Sequence, residues 1–218
     1  MMFDNDYGVK KIMGVSERRL REKETLRKQI LDAARKIVVA EGFDALTIRR
    51  VADAVEYAPG TLYLYFENRD AIARDLCVGV YLAMHDALSP IAKIKDPKKR
   101  LHTFIHKYVD FALSDPEMYR LALMSDPKFS DVLLRDGPIE SADGPGQRTF
   151  ALIVKAIAEL RQKEAGAVAL AETVWMAVHG LVSLKIVCHA YPVTPVDELA
   201  DTLADTLLSG MLQDRVRR

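Results

Sequence analysis

The run from Thr47 to Phe66, TIRRVADAVEYAPGTLYLYF, decides the fold. Ile48, Val51, Ala52 and Val55 recur at helical spacing behind Thr47, a residue type whose hydroxyl accepts from the free amides at a helix start. A short helix therefore opens at Thr47. Pro59 has its φ preset for a first helical turn and no N–H to leave unpaired, which predicts a second helix from Ala58 to Phe66. Leu62 and Phe66, four apart, then face inward. A helix of about eight residues does not hold alone in water, so those two side chains must anchor it to neighbours. Its other face carries Thr61, Tyr63, Leu64 and Tyr65, with Gly60 allowing a close backbone approach. Hydroxyls and aromatic edges of this kind suit a sugar-phosphate strand.

The same residues carry a family resemblance. The string from Thr47 to Arg69, and above all Gly60, Thr61, Leu62, Tyr63, then Tyr65, Phe66 and the basic Arg69, resembles the helix-turn-helix of the TetR/AcrR transcription regulators. The resemblance implies that the second helix enters a major groove, with Thr61, Tyr63, Tyr65 and Arg69 on the DNA backbone. The wider expected contact set is Lys23, Arg27, Thr47, Arg49, Ala58, Pro59, Gly60 and Leu64, with Arg49 and Thr61 nearest the base edges. Two positions depart from the family pattern. Glu56 stands where glycine usually makes the turn, and Ala58 stands where a small hydroxyl residue usually opens the second helix.

Half of the 218 residues are apolar, ample for a buried core, and no amino-terminal stretch has the order of a signal peptide. The apolar run Thr173 to Cys188 is interrupted by His179 and Lys185 and reads as short for a membrane span. Cys77 and Cys188 form no paired motif, which fits a reducing compartment, so a cytoplasmic protein is expected. Net charge is zero, yet residues 10–36 hold ten Lys or Arg against four acids. Alone, such a segment reads as a solvated helix laced with i,i+4 pairs; directly before a helix-turn-helix it reads as a phosphate-facing arm.

The expected fold is all-α: a basic arm without regular structure (1–22), a three-helix DNA-binding domain (23–69), and a larger helical domain for ligand binding and dimerisation (70–218). Leu26, Ile30, Ala34 and Val38 give the first helix its stripe, and Gly42 its left-handed stop. Phe43 and Leu46 are expected to plug the small core. Asn68 caps a helix running to about Leu88. Asp96-Pro97, Asp115-Pro116 and Asp126-Pro127 each pair a capping carboxylate with a proline suited to the first helical position. Residues 136–146, with three glycines and two prolines, read as a loop. Helices follow over about 147–163, 167–190 and 196–212, the last with Leu199, Leu203, Leu207 and Met211 as its stripe. The helix at 167–190 is apolar nearly all round, which calls for a second copy of the chain against its free side, paired there and through 147–163.

The segment Trp175 to Leu184, WMAVHGLVSL, is similar to a Trp, His-Gly signature in the carboxy-terminal domain of one TetR subgroup. That likeness implies an inducer site and a homodimer. Met84, Phe104, Tyr108, Phe111, Tyr119, Met124, Trp175, Met176 and His179 are the expected lining, although aromatic and Met residues at helical spacing are more often plain core. His102 and His106, four apart, form a metal pair only if a third ligand such as His85 or His179 joins them; the blander reading is two solvated side chains, and no metal is assigned. Nothing in the sequence forms a glycine-rich phosphate loop, a nucleophile elbow or a paired-acid site, so neither catalysis nor a cofactor is expected. The reading that follows is a ligand-released repressor on an inverted-repeat operator. A constitutive DNA binder, a helical metal protein or enzyme built on His102 and His106, and an interaction module without a DNA role stand as alternatives.

Overall fold

The computed structural model describes residues 6–125, 144–188 and 190–213. Among them every regular element is helical, the α-helices being α1 (Asp6–Glu41), α2 (Ile48–Ala54), α3 (Pro59–Leu62), α4 (Arg69–Leu88), α5 (Pro97–Ser114), α6 (Pro116–Arg120), α7 (Pro145–Arg161), α8 (Ala167–Val187) and α9 (Val196–Gln213). Two compact units divide between Leu76 and Cys77, inside α4.

In the first unit, Leu26, Ile30, Ala34 and Val38 of α1 are buried together with Leu46, Ile48, Val51, Ala52, Leu62, Phe66, Ile72 and Ala73. The caps explain the helix starts. The Thr47 hydroxyl accepts from the Arg50 amide at 3.1 Å, and Asn68 Oδ1 from Ala71 at 2.9 Å. Gly42 has φ 81° and ψ 172°, outside the left-handed helical well and in a region open essentially to glycine alone. Phe43 is only half-buried; the Arg69 guanidinium lies 4.9 Å from its ring.

Three expectations are corrected here. Helix α1 starts at Asp6, so the segment expected to be an arm is helical from there. Its part from Glu17 to Glu24 contains strong helix formers, and the Arg18–Glu22 pair at 2.8 Å links successive turns; extending an existing helix costs far less than nucleating one. The recognition helix is shorter than expected: α3 ends at Leu62, and the chain reaches Phe66 through tight bonds from Leu64 to Thr61 (3.2 Å) and from Tyr65 to Leu62 (2.9 Å). Such i,i+3 bonds are a common way to close a helix end. The third correction is at α7, which begins at Pro145, inside the stretch read as a loop, with proline at its first position.

In the second unit, α5 lies at the centre and packs on α7, α8 and α9. Asp96 caps it by accepting from Lys98 at 2.9 Å, and Leu101, Phe104, Ile105, Tyr108, Val109 and Ala112 are buried along it. Asp115 caps α6, which runs into a π-helical turn over Leu121–Ser125 rather than continuing as α-helix. The helix expected after Asp126-Pro127 lies outside the described residues. In α9 the buried spine is Ala200, Ala204, Leu208 and Met211; the expected Leu199, Leu203 and Leu207 flank it, half-buried. Alanines let the α9 backbone approach α5 closely, so volume and not hydrophobicity selects the inner face. Helix α8 has 21 residues and meets the length and composition of a membrane span, contrary to the shorter stretch read from sequence. Its Ala171, Val174, Val178, Val182 and Ile186 are nevertheless buried along one face.

Candidate nucleic-acid interface and effector site

Helices α2 and α3 are joined by a tight cap. The Glu56 amide donates to the Asp53 carbonyl at 3.3 Å and the Tyr57 amide to the Ala52 carbonyl at 3.0 Å, the bond pair of a Schellman motif. Its left-handed position falls on Glu56, at φ 60°. The chain thus makes with glutamate a turn that favours glycine.

Beyond the cap, Leu62 and Phe66 are buried at 0% and 3% exposure, while Tyr63 and Leu64 stand out at 58% and 75%. Ala58, Pro59 and Gly60 are exposed, and Thr61 and Tyr65 are half-buried. A Cβ on Gly60 would meet nothing within 4 Å among the described residues, so no packing there requires the missing side chain. Lys23, Thr47, Arg49 and Arg69 are exposed on the same unit. Arg27 is different. Its guanidinium pairs with Asp75, donates to the Tyr65 carbonyl at 3.3 Å and lies 4.4 Å from the centre of the Phe66 ring. Expected to face phosphate, Arg27 instead ties α1 to α4 and holds the end of the recognition segment from behind. Asp75 and the Phe66 ring, adjacent only in the folded unit, draw it inward.

In the second unit, four side chains make a polar chain that runs from Tyr108 and Tyr119, buried in the apolar core, to the half-buried His179 and Ser183. Tyr108 Oη and Tyr119 Oη are 2.8 Å apart, Tyr119 Oη and His179 Nδ1 2.6 Å, and His179 Nε2 and Ser183 Oγ 3.2 Å. One proton arrangement gives every donor an acceptor: Tyr108 donates to Tyr119, Tyr119 to Nδ1, and Nε2–H to Ser183. Reversing it strands the Tyr108 hydroxyl proton in a fully buried position. Burial lowers the His179 pKa, which keeps the ring neutral as this arrangement requires, and raises those of both tyrosines. Trp175 closes one side, edge-on to Tyr108 at 5.2 Å and to Phe150 at 6.3 Å.

Of the expected lining, Phe104, Tyr108, Tyr119, Trp175 and His179 come together. Met84 is fully buried, and Phe111 and Met124 pack around the same core. Met176 does not join them: it is 64% exposed, on the far side of α8 from the buried face. Ser183 and Phe150 were missed. Ser183 stands one helical turn after His179, a spacing that could have announced it; no sequence signal marks Phe150. Burial pushes the Cys77 thiol up to about 12, so it stays protonated and offers no nucleophile.

Comparison with known proteins matches both units. Residues 30–76 fit the model of bacterial regulatory proteins of the tetR family, and residues 101–207 fit that of the tetracyclin repressor-like carboxy-terminal domain, together more than two thirds of the chain. The chain belongs to the TetR family. An uncharacterised HTH-type transcriptional regulator of Bacillus subtilis (strain 168), YobS, is 27% identical over 97 residues, 44% of this chain. This TetR-family chain spans about half the length of that curated relative. A protein of unknown function from Rhodococcus sp. RHA1 shares the fold with a TM-score of 0.69 at 21% identity, over 85% of this chain and 94% of its own. A TetR variant from Acinetobacter baumannii AYE, solved in complex with minocycline, aligns with a TM-score of 0.61 at 19% identity, over 87% of this chain and 96% of its own.

Proposed function

We propose that this TetR-family chain is a homodimeric transcriptional repressor that holds an inverted-repeat operator and releases it when a small molecule enters its carboxy-terminal unit. One observation carries the DNA reading: Gly60, Tyr63 and Leu64 form an open face, with Thr61 half-exposed beside them, while Leu62 and Phe66 anchor the same few residues from behind. Two copies related by a twofold axis would set two such faces on one side of a duplex, a whole number of helical turns apart. Tyr63, Tyr65 and Arg69 would hold phosphates, with Arg49 and Thr61 near the bases.

Release would begin at the Tyr108–Tyr119–His179 chain. It is mostly apolar ground with a few convergent polar groups, the make-up of a small-molecule site. Tyr119 stands two residues before the π-helical turn, whose Ala122 carbonyl accepts from the Tyr81 hydroxyl of α4 at 3.2 Å. A ligand wedged between Tyr119 and Trp175 would shift that turn, and with it α4, the helix that also belongs to the DNA-binding unit. The ligand would be largely apolar, with one acceptor for a displaced tyrosine hydroxyl. It acts only if it binds the released arrangement more tightly. The minocycline complex of the Acinetobacter protein supports a ligand-bound role for this fold.

The test is fluorescence anisotropy with DNA from upstream of the chain's own coding region, across a salt series. Wild type should bind with two subunits per site. Tyr63→Phe and Arg69→Ala should each weaken binding, and Arg69→Ala should flatten the salt slope by about one unit, since one phosphate is left without its cation. Unchanged affinity and slope in both variants would remove this assignment of contacts.

A further inference from the structure

We propose that His102, His106 and Asp201 form a binding site for a divalent transition-metal ion, zinc being the best fit, that clamps α5 to α9. The two histidines are one turn apart on the same face of α5, and Asp201 reaches them from α9, the helix packed against it. Asp201 Oδ1 lies 3.3 Å from His102 Nε2 and 2.8 Å from His106 Nε2, and the three ligand atoms all lie within 4.8 Å of one another. Zinc bonds to nitrogen and carboxylate oxygen are about 2.0–2.1 Å, so neighbouring ligands of a tetrahedral ion sit about 3.3 Å apart. Both histidine–aspartate distances are close to that edge before any ion arrives. The imidazoles are stacked, with centroids 4.8 Å apart and planes inclined by 22°, and rotation about their side-chain torsions has to bring the two Nε2 atoms together on one ion.

The donor set selects the metal. Two imidazoles and one carboxylate suit zinc and its first-row neighbours, whereas magnesium and calcium require more oxygen ligands than this site offers. The side chains are 38%, 28% and 57% exposed, so an ion has a path in and water can fill the fourth position. Neither His85 nor His179 is the third ligand: His85 pairs with Thr149 at 3.2 Å, and His179 is bound into the tyrosine chain. On α5, His102 and His106 lie across the helix from Phe104 and Tyr108, so an ion here would fix the helix that carries two members of the candidate effector site without entering it.

Metal-free, the same atoms form one hydrogen bond, His106 to Asp201, with His102 in ion-pair range of the same oxygen, and the experiment separates the two cases. Tag-free full-length protein, stripped with chelator and dialysed, is titrated with zinc at pH 7.5 against a chromophoric competitor, and its melting temperature is followed with and without the ion. The expected result is one equivalent per subunit, a higher melting temperature with zinc, and no uptake of magnesium. Asp201→Asn keeps a hydrogen-bonding oxygen beside the histidines but loses the charge, and His106→Ala removes a ligand. Each should weaken zinc binding about tenfold or more and abolish the thermal shift. Circular dichroism checks that the variants fold, and Asp201→Asn alone decides the matter if His106→Ala does not. No uptake by wild type under excess zinc, or uptake unchanged in the variants, overturns the proposal. Neither outcome bears on DNA binding.

Discussion

Glu56 holds a left-handed conformation at φ 60° that costs a non-glycine residue about 1–2 kcal/mol, and the two Schellman bonds fix it there. Part of the gain from relieving it is offset in a glycine variant, because glycine loses more freedom on folding. Glu56→Gly should therefore stabilise the chain by about 1 kcal/mol, seen as a melting temperature about 2–4 °C higher for a protein of this size. Operator affinity should rise with it, since a carboxylate next to the recognition segment is removed. A lower melting temperature would mean that the Glu56 side chain itself stabilises the turn. His179 gives a residue-scale prediction in pH. Burial depresses its folded pKa below the unfolded value, so the unfolded chain binds the proton more readily, and the neutral ring contributes stability above about pH 6.5 that is lost as pH falls toward the depressed pKa. Protonation would also put a second N–H on Nδ1, against the Tyr119 hydroxyl. His179→Gln should flatten the fall in melting temperature between pH 7.5 and 5.5. An equally steep fall in the variant would place the acid sensitivity elsewhere.

At the scale of elements, the recognition segment is a four-residue helix and one tight turn, too short to persist without support. Arg27 supplies part of that support through Asp75, the Tyr65 carbonyl and the Phe66 ring. Arg27→Ala should lower stability by about 1–2 kcal/mol and weaken operator binding while leaving the salt slope unchanged, because the guanidinium is engaged inside the unit and not on a phosphate. A flattened slope would return Arg27 to the DNA face. Helix starts were legible in the sequence where the signal is local: Thr47, Asn68, Asp96 and Asp115 each cap a helix within three residues of themselves. The tyrosine–histidine core was legible as a set of aromatic positions. What was hidden depends on residues far apart in the chain. Arg27 reads as one more cation on a basic helix until Asp75 is folded against it, and Asp201 reads as a solvated acid until α9 brings it to His102 and His106. The inner face of α9 was misjudged for the same reason, since only the closeness of α5 favours Ala200 and Ala204 over the leucines beside them.

For the whole molecule, the question is what covers the outer side of α8. Met176, Gly180, Leu184 and Val187 follow one another at helical spacing, and the three side chains are 64%, 47% and 55% exposed. A Cβ on Gly180 would meet nothing within 4 Å among the described residues, yet glycine inside a helix costs roughly 1 kcal/mol relative to alanine. Nothing among the described residues of the subunit offsets that cost. A second α8 crossing at Gly180 would, because the backbones would then come close and Met176, Leu184 and Val187 would leave water against their own copies. The two explanations predict opposite effects for Gly180→Ala. If the stripe faces solvent, alanine simply restores helix propensity and raises the melting temperature at every protein concentration. If a partner crosses there, the added methyl wedges the pair apart, twice over because the contact is symmetric. Sedimentation equilibrium should then show a weaker dimer, and the melting temperature should fall most at low concentration, where dissociation competes with folding. Leu184→Asp, which sets a carboxylate against its symmetry mate in an apolar contact, should give monomers outright. A Leu184→Asp protein that sediments as wild type would move the interface off α8.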